Sequence, residues 1–227
     1  MLRSMQRLLL ISSSTVHGYG FLDHAEPFLR DFLEGRTRVV FAPFAFRDHD
    51  GYTAKVRARL ARFGLETTQL REARDLDGAD AIFVGGGNTF RLLDTLYERA
   101  LLDPIRESAL LYIGSSAGTN IAAPTIKTTN DMPIIEPPSF AALGLVRFQI
   151  NPHYLDPDPS STHKGETREE RIREFHEENE TPVIGLREGS MLRVEGDAVT
   201  LLGEKTARLF RRGLEPVEIA PGPCDVW

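Results

Sequence analysis

Cysteine is almost missing from this sequence of 227 residues. Its one thiol, Cys224, close to the C-terminal end, leaves no disulfide within the chain and no cysteine set for zinc. Reactive thiols need an organised electropositive setting, so Cys224 reads as incidental. Long apolar runs are missing too. No segment approaches the ~20 residues that span a bilayer. Arg3 and Arg7 ahead of residues 8–11 imitate a signal peptide, but the run is short and Ser12-Ser13-Ser14 ends it. The expected address is the cytoplasm, with no membrane partner. A surplus of positive charge is also absent. Lys plus Arg is 27 against 33 Asp plus Glu, a net charge of −6, which disfavours a general nucleic-acid binder. An acidic substrate would need a locally basic pocket. What remains is an ordinary globular composition, 41% hydrophobic and 26% charged, which excludes wholesale disorder. A chain this long buries roughly 70% of its unfolded surface, so it needs no disulfide or structural metal to fold.

The first half alternates short apolar runs with amphipathic stretches. Strands are predicted over 8–11, 38–44, 79–84 and 110–113, and helices over 22–33, 52–63, 89–99 and 118–123. That alternation makes βαβ units and a parallel sheet covered on both faces. The second half is less regular. Residues 124–138 show no periodicity and carry Pro133, Pro137 and Pro138. Strands are expected over 148–151, 182–186, 190–194 and 198–202, with an edge strand at 217–219. The pair before and after Glu195-Gly196-Asp197 reads as a hairpin. Residues 157–164 are polar and turn-rich, and 168–178 form a charged helix. The simplest reading is one α/β domain over residues 1–227.

Gly114-Ser115-Ser116-Ala117-Gly118 matches G-x-S-x-G between a buried strand and a helix start. Such a turn thrusts the central side chain, Ser116, out of the sheet and offers helix N–H groups to a developing oxyanion. Ser115 is the competing serine. The bland alternative is a small-residue turn whose serines cap the helix. Gly85-Gly86-Gly87-Asn88-Thr89 also follows a strand and precedes a helix, which suits an anion site made of main-chain N–H groups. It lacks the dinucleotide spacing and a Walker lysine. Of six histidines, His153 stands out, because Asn151-Pro152 delivers it at a strand end, where α/β sheets place their sites. His17, His24 and His49 read as exposed, His163 as a loop residue, and His176 as facing water. Two acids compete to orient His153: Asp131 in an irregular loop and Glu188 in a turn after a strand. The stretch from His163-Lys164 to Arg168 is basic, and an arginine there could clamp a carboxylate.

Together these stretches resemble peptidase E, the α-aspartyl dipeptidase family of serine peptidases. The likeness is carried by FLDHAEPFL, VVFAPFAF, VGGGNTFRLL, YIGSSAGTN, PTIKTTNDMPI, QINPHY, HKGETREERIRE and VIGLREG, in the family's order. One departure is Ser115, where the family usually carries a bulkier residue, often Trp. The resemblance implies a three-layer α/β/α sandwich with a mostly parallel central sheet, like that of class I glutamine amidotransferases. It implies hydrolysis of dipeptides with an N-terminal aspartate, without cofactor or metal. Ser116 would be the nucleophile and His153 the general base, with Asp131 slightly ahead of Glu188 as the orienting acid. Gly87 and Ala117 would form the oxyanion hole; Asn88 and Arg168 would hold the aspartyl side chain. A homodimer is a reasonable expectation for a protein of this size. The rivals are a cyanophycinase-like peptidase acting on β-aspartyl substrates and a non-catalytic small-molecule binding protein on the same fold.

Overall fold

The computed structural model describes residues 6–157, 160, 162 and 165–226. His163 and Lys164, from the basic stretch, lie outside the described residues. In chain order the elements are β1 (Arg7–Ile11), α1 (Glu26–Phe32), β2 (Arg38–Ala42), α2 (His49–Ala61), β3 (Glu66–Gln69), β4 (Ala81–Val84), α3 (Thr89–Glu98), α4 (Leu102–Glu107), β5 (Leu111–Ser115) and α5 (Ala117–Asn120). Then come β6 (Gln149–Pro152), α6 (Arg168–Glu178), β7 (Val183–Leu186), β8 (Met191–Glu195), β9 (Ala198–Leu202), β10 (Ala207–Phe210), β11 (Val217–Ile219) and β12 (Gly222–Cys224).

The main sheet has eight strands in the order β12-β9-β8-β1-β5-β4-β2-β3. The run from β1 to β3 is parallel throughout, as βαβ units dictate. β8, β9 and β12 extend it with antiparallel pairings. Strand alternation sends side chains to two separate cores. Leu8, Leu10, Val40 and Ile82 meet Leu92, Leu93 and Leu96 of α3 on one face. Leu9, Ile11, Phe41 and Phe83 meet Leu29 and Phe32 of α1 and Val56 and Leu60 of α2 on the other. This is the expected α/β/α layering, and each such buried side chain contributes roughly 1.5–3 kcal/mol. α1 begins four residues later than the apolar spacing suggests, because Leu22 turns at φ +59 and Pro27 starts the helix. α2 begins earlier, at the Asp48 cap.

A second sheet of four strands, ordered β11-β10-β7-β6, was not foreseen. Only β6 and β7 are parallel in it, joined through α6. The Ser12 side chain ties the two sheets together. Its hydroxyl donates to the Leu186 carbonyl (2.7 Å) and accepts the His153 N–H (3.0 Å). Both sheets therefore bring the carboxyl ends of parallel strands to one edge.

Candidate active site

β5 is buried along its length and ends at Ser115. The next residue, Ser116, sits at φ +53, ψ −109, a strained conformation that costs about 1–3 kcal/mol. Three contacts hold the elbow. The Ser116 N–H donates to the Ile11 carbonyl (3.0 Å), Thr119 Oγ1 donates to the same carbonyl (2.7 Å), and the Tyr112 hydroxyl donates to the Gly118 carbonyl (2.6 Å). Gly118 is required by close approach, since a Cβ there would lie 2.1 Å from the Val84 carbonyl oxygen. Of the two serines, Ser115 is fully buried, whereas Ser116 lines a cleft of about 400 Å³.

His153 follows β6 directly and is also left-handed, at φ +54. That turn swings the imidazole back to the elbow, where Nε2 lies 2.8 Å from Ser116 Oγ. Its Nδ1 lies 2.6 Å from Glu188 Oε1, at the turn after β7. The hydroxyl, imidazole and carboxylate form a continuous relay. Such a line can move a proton off a serine while the carboxylate fixes the tautomer. The sequence favours Asp131 slightly for that contact; the structure gives it to Glu188. Asp131 is engaged elsewhere, accepting from the Thr89 N–H (2.7 Å) and Thr89 Oγ1 (2.6 Å) at the start of α3.

The N–H groups of Gly87 and Ala117 flank the elbow, and neither donates to another group among the described residues. Gly87 holds φ +133, and a Cβ there would meet the Ala45 carbonyl at 2.6 Å, so only glycine fits. Asn88 is the N-cap of α3: its Oδ1 accepts the Arg91 N–H (3.1 Å), and its Nδ2 donates to the Met132 carbonyl (2.9 Å). It does not line the cleft. Arg168 opens α6 and is half-buried. Burial and neighbouring Arg171 lower its pKa, and the nearby Asp131 charge opposes them. Among the described residues it has no ion pair, so Arg168, Asn88 and Asp131 make a second polar group beside the relay rather than within it.

Several site residues escaped sequence reasoning. Ser12, read only as a stop to an apolar run, anchors His153. Tyr52 accepts the Gly86 N–H on its hydroxyl (3.0 Å) and packs edge-on against Phe41, and burial pushes its pKa up to about 12. His24, expected to be exposed, is half-buried; burial lowers its pKa, and the charge of Glu188 is among the effects pulling it up. His176 is likewise buried rather than facing water, with Nε2 3.1 Å from the Thr181 carbonyl. Among the described residues, no group of three His, Cys, Asp or Glu side chains is arranged to hold a metal ion. No helix there is long and apolar enough to cross a membrane.

An α/β sandwich with a serine on a strand-to-helix elbow against an imidazole is the build of a serine-type peptidase. The chain belongs to peptidase family S51, whose model matches residues 8–202. It is 60% identical over 222 residues to peptidase E of Streptomyces coelicolor, covering 95% of this chain and 91% of that protein. It is 53% identical over 228 residues to a Drosophila melanogaster protein named "Probable alpha-aspartyl dipeptidase", covering 96% of this chain and 95% of that one. A solved peptidase from an acI-B1 Actinobacterium shares the fold, with a TM-score of 0.67 at 18% identity and 96% of each chain covered.

Proposed function

We propose that the chain hydrolyses α-aspartyl dipeptides through an acyl-enzyme on Ser116. The observation that carries this reading is the unbroken line from Ser116 Oγ through His153 to Glu188. His153 Nε2 takes the hydroxyl proton as Oγ attacks the scissile carbonyl carbon. The tetrahedral oxyanion is held by the Gly87 and Ala117 N–H groups. His153 then gives its proton to the leaving amine, and the C–N bond breaks. Water, deprotonated by the same imidazole, attacks the ester and releases aspartate. Glu188 keeps the imidazole in the working tautomer.

The choice of aspartate rests on the names of the relatives and on Arg168. That guanidinium is half-buried without an ion pair among the described residues, while Asp131 is satisfied by Thr89. A half-buried cation with no ion pair favours a carboxylate over a neutral side chain. Asn88, capped on both ends, is the weaker half of this clamp. The same reading takes residues 1–227 as one domain acting in the cytoplasm, which suits a single cysteine. It also takes the protein as a homodimer, supported by exposed Met132, Ile134, Ile135 and Phe140 in one loop.

The test is hydrolysis of Asp-Leu, Asn-Leu, Glu-Leu and β-Asp-Leu with chelator present, by wild type and Ser116→Ala. Asp-Leu alone should be cleaved, and Ser116→Ala should lose about 10⁴ in kcat or more. Cleavage of β-Asp-Leu instead would move the reading to β-aspartyl substrates. Ser116→Ala at the wild-type rate would sink the mechanism.

A further inference from the structure

The cleft beside Ser116 and His153 has a wall that the proposed chemistry does not use. Asp48, Tyr52 and Lys55 recur at i, i+4 and i+7, so one face of α2 lines it. Phe21 and Phe46 supply apolar surface, with the Phe46 ring against Gly87. Lys55 Nζ lies 4.2 Å from the centre of the Phe21 ring, a cation–π contact that holds an exposed lysine over the cleft. Among the described residues no carboxylate pairs with this ammonium. Asp48 is the one acid on this wall, and its Oδ1 is occupied by the Gly51 N–H (2.8 Å) as the cap of α2. The Tyr52 hydroxyl accepts from Gly86 and stays protonated, so its own hydrogen is free to donate.

We infer that this cleft is the subsite for the residue released by hydrolysis, and that Lys55 pairs with that residue's free carboxylate. The inference rests on the dipeptidase reading above and specifies its leaving half. Arg168 and Asn88, assigned to the aspartyl half, do not line the cleft. A space of about 400 Å³ suits a single amino acid, and its aromatic walls suit an apolar side chain. A cation poised over it favours a chain that ends there. This gives a physical reason for a dipeptidase rather than a peptidase that trims longer chains.

The test compares Asp-Leu with Asp-Leu-amide, which lacks the terminal carboxylate, in wild type, Lys55→Met and Lys55→Arg. Wild type should prefer the free acid by tenfold or more in kcat/KM. Lys55→Met should collapse that preference toward one, and Lys55→Arg should keep most of it. An undiminished preference in Lys55→Met would overturn the inference. So would an equal loss on both substrates, which would place Lys55 on the aspartyl half or in the scaffold. Wild type cleaving β-Asp-Leu, or neither α-aspartyl substrate, would overturn the dipeptidase reading and this subsite with it. Lys55 is exposed, so its variants should fold.

Discussion

The parallel run β1-β5-β4-β2-β3 and the small sheet β11-β10-β7-β6 aim strand ends at one cleft, but they are built differently. The first is wrapped in helices on both faces, and its inner strands β1, β5, β4 and β2 are largely apolar. Its contribution, the Ser116 elbow, is clamped by hydrogen bonds to the end of β1 and within the turn itself. The second has a small core of Tyr154, Ile172, Val183 and Phe210. It also adds Ile150, Ile184, Leu186, Ala207 and Leu209 to the large core, and a polar hub borders the small one. Arg187, beside Glu188, grips Asp156 (2.6 and 2.8 Å), Glu218 (2.9 Å) and Thr206, and its guanidinium lies over the Tyr154 ring. The nucleophile thus sits on hydrogen bonds within the main sheet, and the acid sits next to an ion-pair cluster. The two should fail in different ways.

The largest expected effect separates the two acids. Glu188→Ala should cost about 10³–10⁴ in kcat at nearly unchanged stability, as loss of an orienting carboxylate does. Asp131→Ala should instead remove the carboxylate that accepts the first N–H of α3, a loss of about 1 kcal/mol, and leave the relay standing. Equal kinetic losses would break the assignment of Glu188. Paired melts and kcat measurements on the two variants read this directly.

Next comes the hub. Arg187→Met should lower stability by about 1 kcal/mol, because Arg187 is largely buried while its carboxylate partners are exposed and screened by water. Hydrogen bonds from Arg187 are the main cause holding Asp156 and Glu218 below the usual carboxylate range. Their folded pKa values are depressed, so the stability they add is complete above the ordinary carboxylate pKa. It is lost as pH falls through the folded values. The melting temperatures of wild type and Arg187→Met should therefore converge on acidification below about pH 4. A gap constant with pH would show that packing, not charge, holds this sheet.

How much of this was legible in the sequence follows the same division. Strands buried on both faces and helices with one apolar stripe announce themselves, so the central layers and the elbow could be read. β3, Glu66–Gln69, could not: it is a polar edge strand with only Thr67 buried. The short strands β10 and β12 and the helix α4 gave too little periodicity. The second sheet pairs β6 with β7 across α6 and adds β10 and β11, and apolar spacing marks strands without marking which of them pair. The choice between Asp131 and Glu188 was hidden as well, since spacing does not show which of the two reaches His153. His176 was readable in principle. It lies four residues after buried Ile172, on the same face of α6, but the charges around it pointed to water.

Ser12 carries a last consequence. Its hydroxyl joins the two sheets at the point where His153 leaves the chain's regular structure. Each sheet keeps its own ladder of hydrogen bonds, whereas the distance between Ser116 and His153 depends on the seam. A Ser12→Ala chain should therefore lose activity on mild warming before either sheet melts, a gap that paired activity and unfolding scans would measure.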